Sequence, residues 1–118
     1  MEYRRFGNTI YLRLDPKEEI LEEIGKVAEK ENIRLAQVTG LGAINDFTAG
    51  VYNTVTKEYH SIQFQGAYEI VSLTGTVTRK DGDVYLHLHI AAGDEKGLVH
   101  GGHLNRAIIS ATAEIQIQ

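Results

Sequence analysis

The chain has 118 residues, of which 42% are hydrophobic and 24% are charged; these values fit one domain with a single core and exclude disordered and collagenous classes. It contains no cysteine, which excludes disulfides, thiolate metal sites and cysteine nucleophiles. Its net charge of −4 argues against nucleic-acid binding by one chain alone, because affinity for phosphate backbones requires clustered Lys and Arg.

The first eight residues are charged from the start and contain no apolar stretch of the kind found in signal peptides. No apolar run elsewhere is long enough to span a bilayer, so we expect a cytoplasmic protein without a membrane partner. The adjacent basic pairs, Arg4–Arg5 and Arg79–Lys80, are too short to form a basic stripe, and only an oligomer would gather them into one.

The first predicted elements are a strand and a helix. Residues Thr9 to Leu14 alternate apolar and polar side chains, which predicts a strand. Asp15 suits a helix N-cap, Pro16 suits the first helical position, and Glu18 completes a capping box. Apolar residues then recur at helical spacing, so we predict a main helix at about 16–32 that packs on one face of a sheet.

The rest of the chain reads as short strands separated by glycine-containing turns. This pattern predicts a mixed or antiparallel sheet, and one helix on such a sheet gives a single α+β domain over residues 1–118. The predicted segments are a strand at 33–38, a glycine loop at 39–43, a hairpin of strands 47–52 and 59–64, a long strand at 68–79, a tight turn at 81–82, a strand at 84–92, a glycine-rich loop at 93–102 and a last strand at 107–117.

Two of the predicted strands carry a polar face opposite an apolar one. In the strand at 84–92, Val84, Leu86, Leu88 and Ile90 alternate with Tyr85, His87 and His89. In the last strand, apolar residues at odd positions from 109 to 117 alternate with polar residues at even positions, Glu114 among them. A flat polar face of this kind, together with Tyr11 and Tyr85, predicts association between copies of the chain.

The strand at 84–92 also suggests a metal site. Side chains two apart on a strand stand about 6.5 to 7 Å apart on one side, so His87 and His89 can converge on one ion. His103 offers a third ligand from the glycine-rich loop, in which Gly101, Gly102 and Leu104 would lie near the site. Three protein ligands and an open position are typical of reactive zinc sites, so zinc or another divalent metal is the expected cofactor.

A plainer interpretation remains open, in which these histidines line an oligomer interface and pair with Glu69 or Glu114 without binding metal. The same two glutamates are candidates for acid/base or supporting roles beside the ion, although hydrogen bonding within the fold is the simpler role. We expect His60 to be a surface histidine and His100 an exposed loop residue. The chain contains no phosphate-binding loop, full dinucleotide fingerprint or nucleophile elbow.

Several motifs, in this order and spacing, resemble the plant- and prokaryote-conserved (PPC) domain family over nearly the whole chain. They are Arg13-Leu14-Asp15, the run Val38-Thr39-Gly40-Leu41-Gly42-Ala43, the run Gly66-Ala67-Tyr68-Glu69-Ile70-Val71-Ser72-Leu73-Thr74-Gly75, His87-Leu88-His89, Gly101-Gly102-His103-Leu104 and Ala113-Glu114-Ile115.

The resemblance implies a subunit that assembles as a homotrimer through its sheet surfaces. Prokaryotic members are stand-alone domains predicted to bind DNA, whereas plant members carry the domain beside an AT-hook that contacts DNA in the nucleus. No AT-hook segment occurs in this chain. The resemblance also implies a metal at or near the subunit boundaries, held by the histidines at 87, 89 and 103.

Two hypotheses of different classes follow. The chain is either a trimeric DNA-binding or regulatory module, or a metal-dependent enzyme or small-ligand-binding protein that uses the three histidines and does not bind DNA. A continuous positive surface made by Arg4, Arg5, Arg79 and Lys80 would favour the first, and a polar pocket around the histidines would favour the second.

Overall fold

Strands hold about 70% of the residues in the computed structural model, which describes residues 1–118. The α+β class therefore fits only roughly, because a single helix accompanies one six-stranded sheet. The elements are β1 (Glu2–Phe6), β2 (Thr9–Leu14), α1 (Ile20–Lys30), β3 (Ala36–Asn53), β4 (Glu58–Lys80), β5 (Asp83–Gly93) and β6 (Val99–Ile117).

All strand pairings are antiparallel, and the sheet order is β1-β2-β6-β3-β4-β5. The first part of β6 also pairs with β5, which closes β6, β3, β4 and β5 into a ring. The core lies between α1 and the apolar faces of the strands, as the alternation of side chains predicts. Ile20, Ile24 and Val27 supply the buried face of α1.

The helix is shorter than predicted, since it begins at Ile20 and ends at Lys30 rather than spanning about 16–32. Lys17 has a φ of 76°, which no helical residue adopts, and its N–H donates to the carbonyl oxygen of Ile109. The predicted bond from the Asp15 N–H to the Glu18 carboxylate is present at 2.7 Å, but it closes a turn. Glu19 is the N-cap instead of Asp15.

The predicted loop at 39–43 is wrong, because these residues lie inside β3 between β4 and β6. The glycines of this segment allow β3 to approach β6 closely, because a Cβ on Gly42 would lie 2.7 Å from the Cα of Ala113. The pairing of β3 with β4 shifts register between Gly40 and Gly42, so these glycines sit at a bulge. The strand β1 was not predicted, since its charged sequence has no apolar alternation.

The predicted loop at 93–102 is also wrong over half of its length, because Gly93 ends β5 and residues 99–102 lie in β6. Only residues 94–98 form a turn, and β6 already begins at Val99. The hairpin between β3 and β4 is confirmed by the pairing of Tyr52 with Tyr59. The tight turn at Asp81 and Gly82 is confirmed as well, with both residues at positive φ.

Candidate metal centre

The pairing of β5 with β6 brings three histidines together on one side of the sheet. His87 and His89 project from the polar face of β5, and His103 is the Cα partner of His89 on β6. The ligand nitrogens of the three rings all lie within 4.8 Å of one another. His103 therefore lies in a strand directly opposite His89, and does not fold back from a loop as the sequence predicted.

The donor set fits a zinc ion. A tetrahedral zinc with bonds of about 2.0 to 2.1 Å needs nitrogens roughly 3.4 Å apart, which small side-chain rotations can reach from the spacing seen here. Three imidazoles leave one position free, as in zinc sites that bind a water or another small ligand. His87 and His89 are exposed and His103 is half-buried, so an ion could enter from solvent.

The electrostatics of the cluster favour neutral imidazole at His103. Burial lowers the pKa of His103 below its usual value, and the neighbouring His87 and His89 lower it further because like charges repel. A neutral ring offers the lone pair that a metal needs. At neutral pH the cluster is thus prepared to bind a cation without first losing a proton from His103.

The histidines lie in a pocket of about 580 Å³, within the range of small-ligand sites. Its other walls come from β3, β4 and β6: Gly50, Val51, Tyr52, Tyr59 and Gly102. The Tyr59 ring approaches His103 edge-on, with 6.1 Å between ring centroids. This tyrosine wall was not anticipated from the sequence, although Tyr52 and Tyr59 occupy facing positions in the predicted hairpin.

The glycine-rich segment contributes less to the pocket than predicted. Gly102 lines it, whereas Gly101 is paired with Ala91 inside the sheet and is not among the lining residues. Leu104 is only 2% exposed and belongs to the hydrophobic core, so it cannot contact a ligand in the pocket. The predicted loop is part of β6, and of these three residues only Gly102 lines the pocket.

The two glutamates lie away from the histidines. Glu114 lines a depression beside Tyr11, and its proximity adds to the burial that raises the pKa of that tyrosine. Glu69 lines another depression, which includes Tyr68 and Gly93. Neither glutamate is among the residues that line the histidine pocket, so within one chain they do not support the ligands.

The remaining two histidines are separate from the triad. His60 is exposed on β4 near Glu58, as predicted. His100 is not an exposed loop residue: it lies in β6, half-buried, with its ring 5.1 Å from that of Phe64. Its Nε2 is 3.2 Å from the Asp94 carboxylate.

Of the four side chains in the two adjacent basic pairs, Arg4, Arg5 and Arg79 form ion pairs within the chain, whereas Lys80 forms none and lies over the Tyr85 ring. Arg4 pairs with Glu2, and Arg5 pairs with Glu31. The Arg79 side chain is 17% exposed and forms an ion pair with the Glu29 carboxylate. It also donates hydrogen bonds to the carbonyl oxygens of Ile33 and Ala28, so it links β4 to the C-terminal end of α1.

Comparisons with known proteins agree with this architecture. The profile described as the Plants and Prokaryotes Conserved (PCC) domain matches residues 1–118. A search of curated proteins finds no match. No helix of the structure has both the length and the apolar character needed to cross a membrane.

Solved structures similar to this chain come from bacteria and archaea. A predicted DNA-binding protein of Bacteroides thetaiotaomicron is 30% identical with a TM-score of 0.96, and the match covers 99% of this chain and 82% of that one. A PPC protein of Pyrococcus horikoshii is 36% identical with a TM-score of 0.87, over 99% and 79%. A metal-containing protein of Archaeoglobus fulgidus is 31% identical with a TM-score of 0.87, over 98% and 81%.

Proposed function

Because this chain belongs to the Plants and Prokaryotes Conserved domain family, we propose that it is a self-associating protein that binds a divalent metal, zinc foremost, through His87, His89 and His103. The observation that carries the proposal is the convergence of three ligand nitrogens to within 4.8 Å on two paired strands. The similar protein from Archaeoglobus fulgidus, which is described as metal-containing, supports it.

The residues around the ion would give a binding or reactive site rather than a closed structural one. Zinc supplies a Lewis acid with one exchangeable position when three protein ligands hold it. The pocket keeps that position accessible, and its walls would limit what reaches it. A metal-dependent enzyme and a small-ligand-binding protein both fit this arrangement.

Elemental analysis of the purified, tag-free protein tests the proposal. We expect about one zinc or other transition metal per chain, and loss of that metal when His87, His89 and His103 are all changed to alanine. His60→Ala is the matched control, because this exposed histidine lies outside the cluster. A metal content equal in the triple variant and the parent would reject the proposed ligands.

Self-association is supported by apolar side chains on the hairpin of β3 and β4. Val55 and Ile62 are each more than half exposed there. Copies of this chain would cover them, and the resemblance to the family supports three copies. Light scattering should then give a mass of about 39 kDa, three times the 13.1 kDa of one chain. Ile62→Lys should lower that mass, whereas Asp83→Lys, at the exposed start of β5 and away from this hairpin, should not.

DNA binding is the second candidate function. It is supported by the similarity to the predicted DNA-binding protein of Bacteroides thetaiotaomicron. The net charge of −4 and the ion pairs of Arg4 and Arg5 argue against DNA binding by one chain. DNA binding would therefore require an assembly that brings lysines without ion pairs from several chains onto one surface. Fluorescence anisotropy with labelled duplex DNA at about 50 and 200 mM salt tests it, since phosphate contacts weaken steeply over that range.

A further inference from the structure

The pocket around the three histidines contains no charged side chain of acidic or basic type. Its eight lining residues are histidines, tyrosines, glycines and one valine. A divalent ion held by three neutral imidazoles keeps its full positive charge, and here no carboxylate offsets it. The remaining coordination position therefore favours an anion over a neutral ligand. This step rests on the proposed metal site.

The pocket is also larger than a water or a simple inorganic anion requires. Its volume of about 580 Å³ suits a small organic molecule. Tyr52 and Tyr59 lie on its wall and both remain partly exposed, with Tyr59 at 43%. Flat aromatic surfaces of this kind favour an apolar or aromatic ligand body that packs against a ring.

The position of Tyr59 depends on a glycine in the neighbouring strand. β3 lies between β4 and β6, so the ring of Tyr59 on β4 crosses β3 to reach β6. Its hydroxyl donates a hydrogen bond of 2.7 Å to the Oδ1 of Asn105. The ring passes over Gly50, where a Cβ would lie 2.5 Å from the Tyr59 Cζ. Gly50 is itself the Cα partner of His103, so the tyrosine wall is built against the metal ligands.

Phosphate is less suited to this pocket than carboxylate. Phosphate sites ordinarily combine arginine or lysine side chains with a helix N-terminus or a backbone nest. The lining contains no arginine or lysine and no residue of the helix. We infer that the pocket takes a small organic monocarboxylate with a flat apolar or aromatic body, whose carboxylate meets the metal position and whose body packs against Tyr59.

Titration calorimetry on zinc-loaded protein tests this inference with benzoate as the probe. Benzamide, which has nearly the same shape without the charge, is the neutral comparison, and phenyl phosphate is the phosphate comparison. We expect benzoate to bind the zinc-loaded protein at least about tenfold more tightly than either compound, and to lose that advantage in the metal-free protein. Tyr59→Ala should weaken benzoate about tenfold.

Tyr85→Ala is the matched control, because Tyr85 lies on the histidine face of β5 but outside the pocket lining. It should leave benzoate affinity unchanged. Zinc content is measured on every sample, so that failure of the proposed metal site can be distinguished from failure of the ligand inference. Protein without zinc would overturn the proposed metal site and this inference together. Protein that holds zinc but binds benzoate no better than benzamide, prefers phenyl phosphate, or is insensitive to Tyr59→Ala would overturn the inference alone.

Discussion

His89 and His103 face each other as Cα partners across β5 and β6. The link that places them so is the short turn at 94–98, which returns the chain directly into an antiparallel pair. Because the partners are held by the sheet ladder, the pairing of the strands itself brings the ligand nitrogens close together. Metal binding should therefore stabilise a fold that already exists.

The first prediction concerns this stabilisation. Zinc should raise the melting temperature of the parent by about 5 °C or more at a free concentration near 100 times its dissociation constant, since a ligand of the native state shifts unfolding by mass action. His103→Ala should lose most of that shift. Differential scanning fluorimetry on metal-stripped protein, with and without added zinc, measures it.

His60→Ala provides the control for nonspecific zinc binding and should behave as the parent does. His103→Ala should melt near the metal-free parent, because its side chain lies on the polar side of the sheet and outside the hydrophobic core. A variant that retained the full zinc shift would show that the ligands lie elsewhere. A variant unfolded without metal would show that His103 supports the fold itself.

The cluster of His87, His89 and His103 was partly predictable from the sequence, because strand alternation alone places His87 and His89 on one face. The position of His103 opposite His89 was harder to predict, because glycines at 93, 97, 101 and 102 are as typical of a loop as of a tightly packed strand. The structure distinguishes the two: a Cβ at Gly101 would lie 2.9 Å from the Cα of Ala91, so this glycine serves close pairing.

The helix start was mispredicted for a different reason. Asp15 and Glu18 carry a good capping pattern, and their hydrogen bond forms, but the backbone at 17 and 18 pairs with Ile109 on β6. Such a long-range pairing leaves no local trace in the sequence. The tyrosine wall of the pocket was missed because it depends on how the hairpin of β3 and β4 lies against β5 and β6, which are distant from it along the chain.

The second prediction concerns Glu19, which joins α1 to the sheet. Its carboxylate accepts hydrogen bonds from the N–H groups of Leu21 and Glu22, and also from that of Ala107 on β6. Glu19→Ala should lower the free energy of unfolding by about 1 to 3 kcal/mol, because a cap and a cross-element bond are lost together. Urea unfolding followed by circular dichroism measures this.

Glu22→Ala is the comparison for Glu19→Ala, because Glu22 is in the same turn but exposed and held only by a 3.7 Å ion pair with Lys26. Its effect should stay within about 0.5 kcal/mol. Equal losses in the two variants would mean that first-turn charge, and not the cap, sets the stability of the helix.

The third prediction concerns Gly75, which packs against the backbone of β5. A Cβ there would lie 2.6 Å from the Cα of Leu88 and would clash with the carbonyl oxygen of His87. Gly75→Ala should lower the free energy of unfolding by about 2 kcal/mol or more and disturb β5, which carries the proposed ligands His87 and His89. Urea unfolding and zinc content should both change. Gly93→Ala, whose Cβ would meet its nearest atom at 3.9 Å, should change neither.

The last prediction is the pH dependence contributed by Asp94. The hydrogen bond with His100, followed by those from the N–H groups of Leu98 and Lys96, lowers the pKa of Asp94 below its usual value. A carboxyl whose pKa is lower in the folded state adds stability above its unfolded pKa, about 3.9, and that contribution is lost as the pH falls through the folded value.

The free energy of unfolding should therefore fall less steeply between about pH 4 and pH 2.5 in Asp94→Asn than in the parent. Asparagine keeps an oxygen for the turn but cannot titrate, so the difference between the two slopes isolates this one carboxyl. Asp83→Asn, at an exposed carboxylate without an ion pair, should keep the parental slope. Parallel curves for the parent and Asp94→Asn would mean that the Asp94 carboxylate does not form its bonds with His100, Leu98 and Lys96 in solution, and that only backbone–backbone hydrogen bonds hold the turn at 94–98.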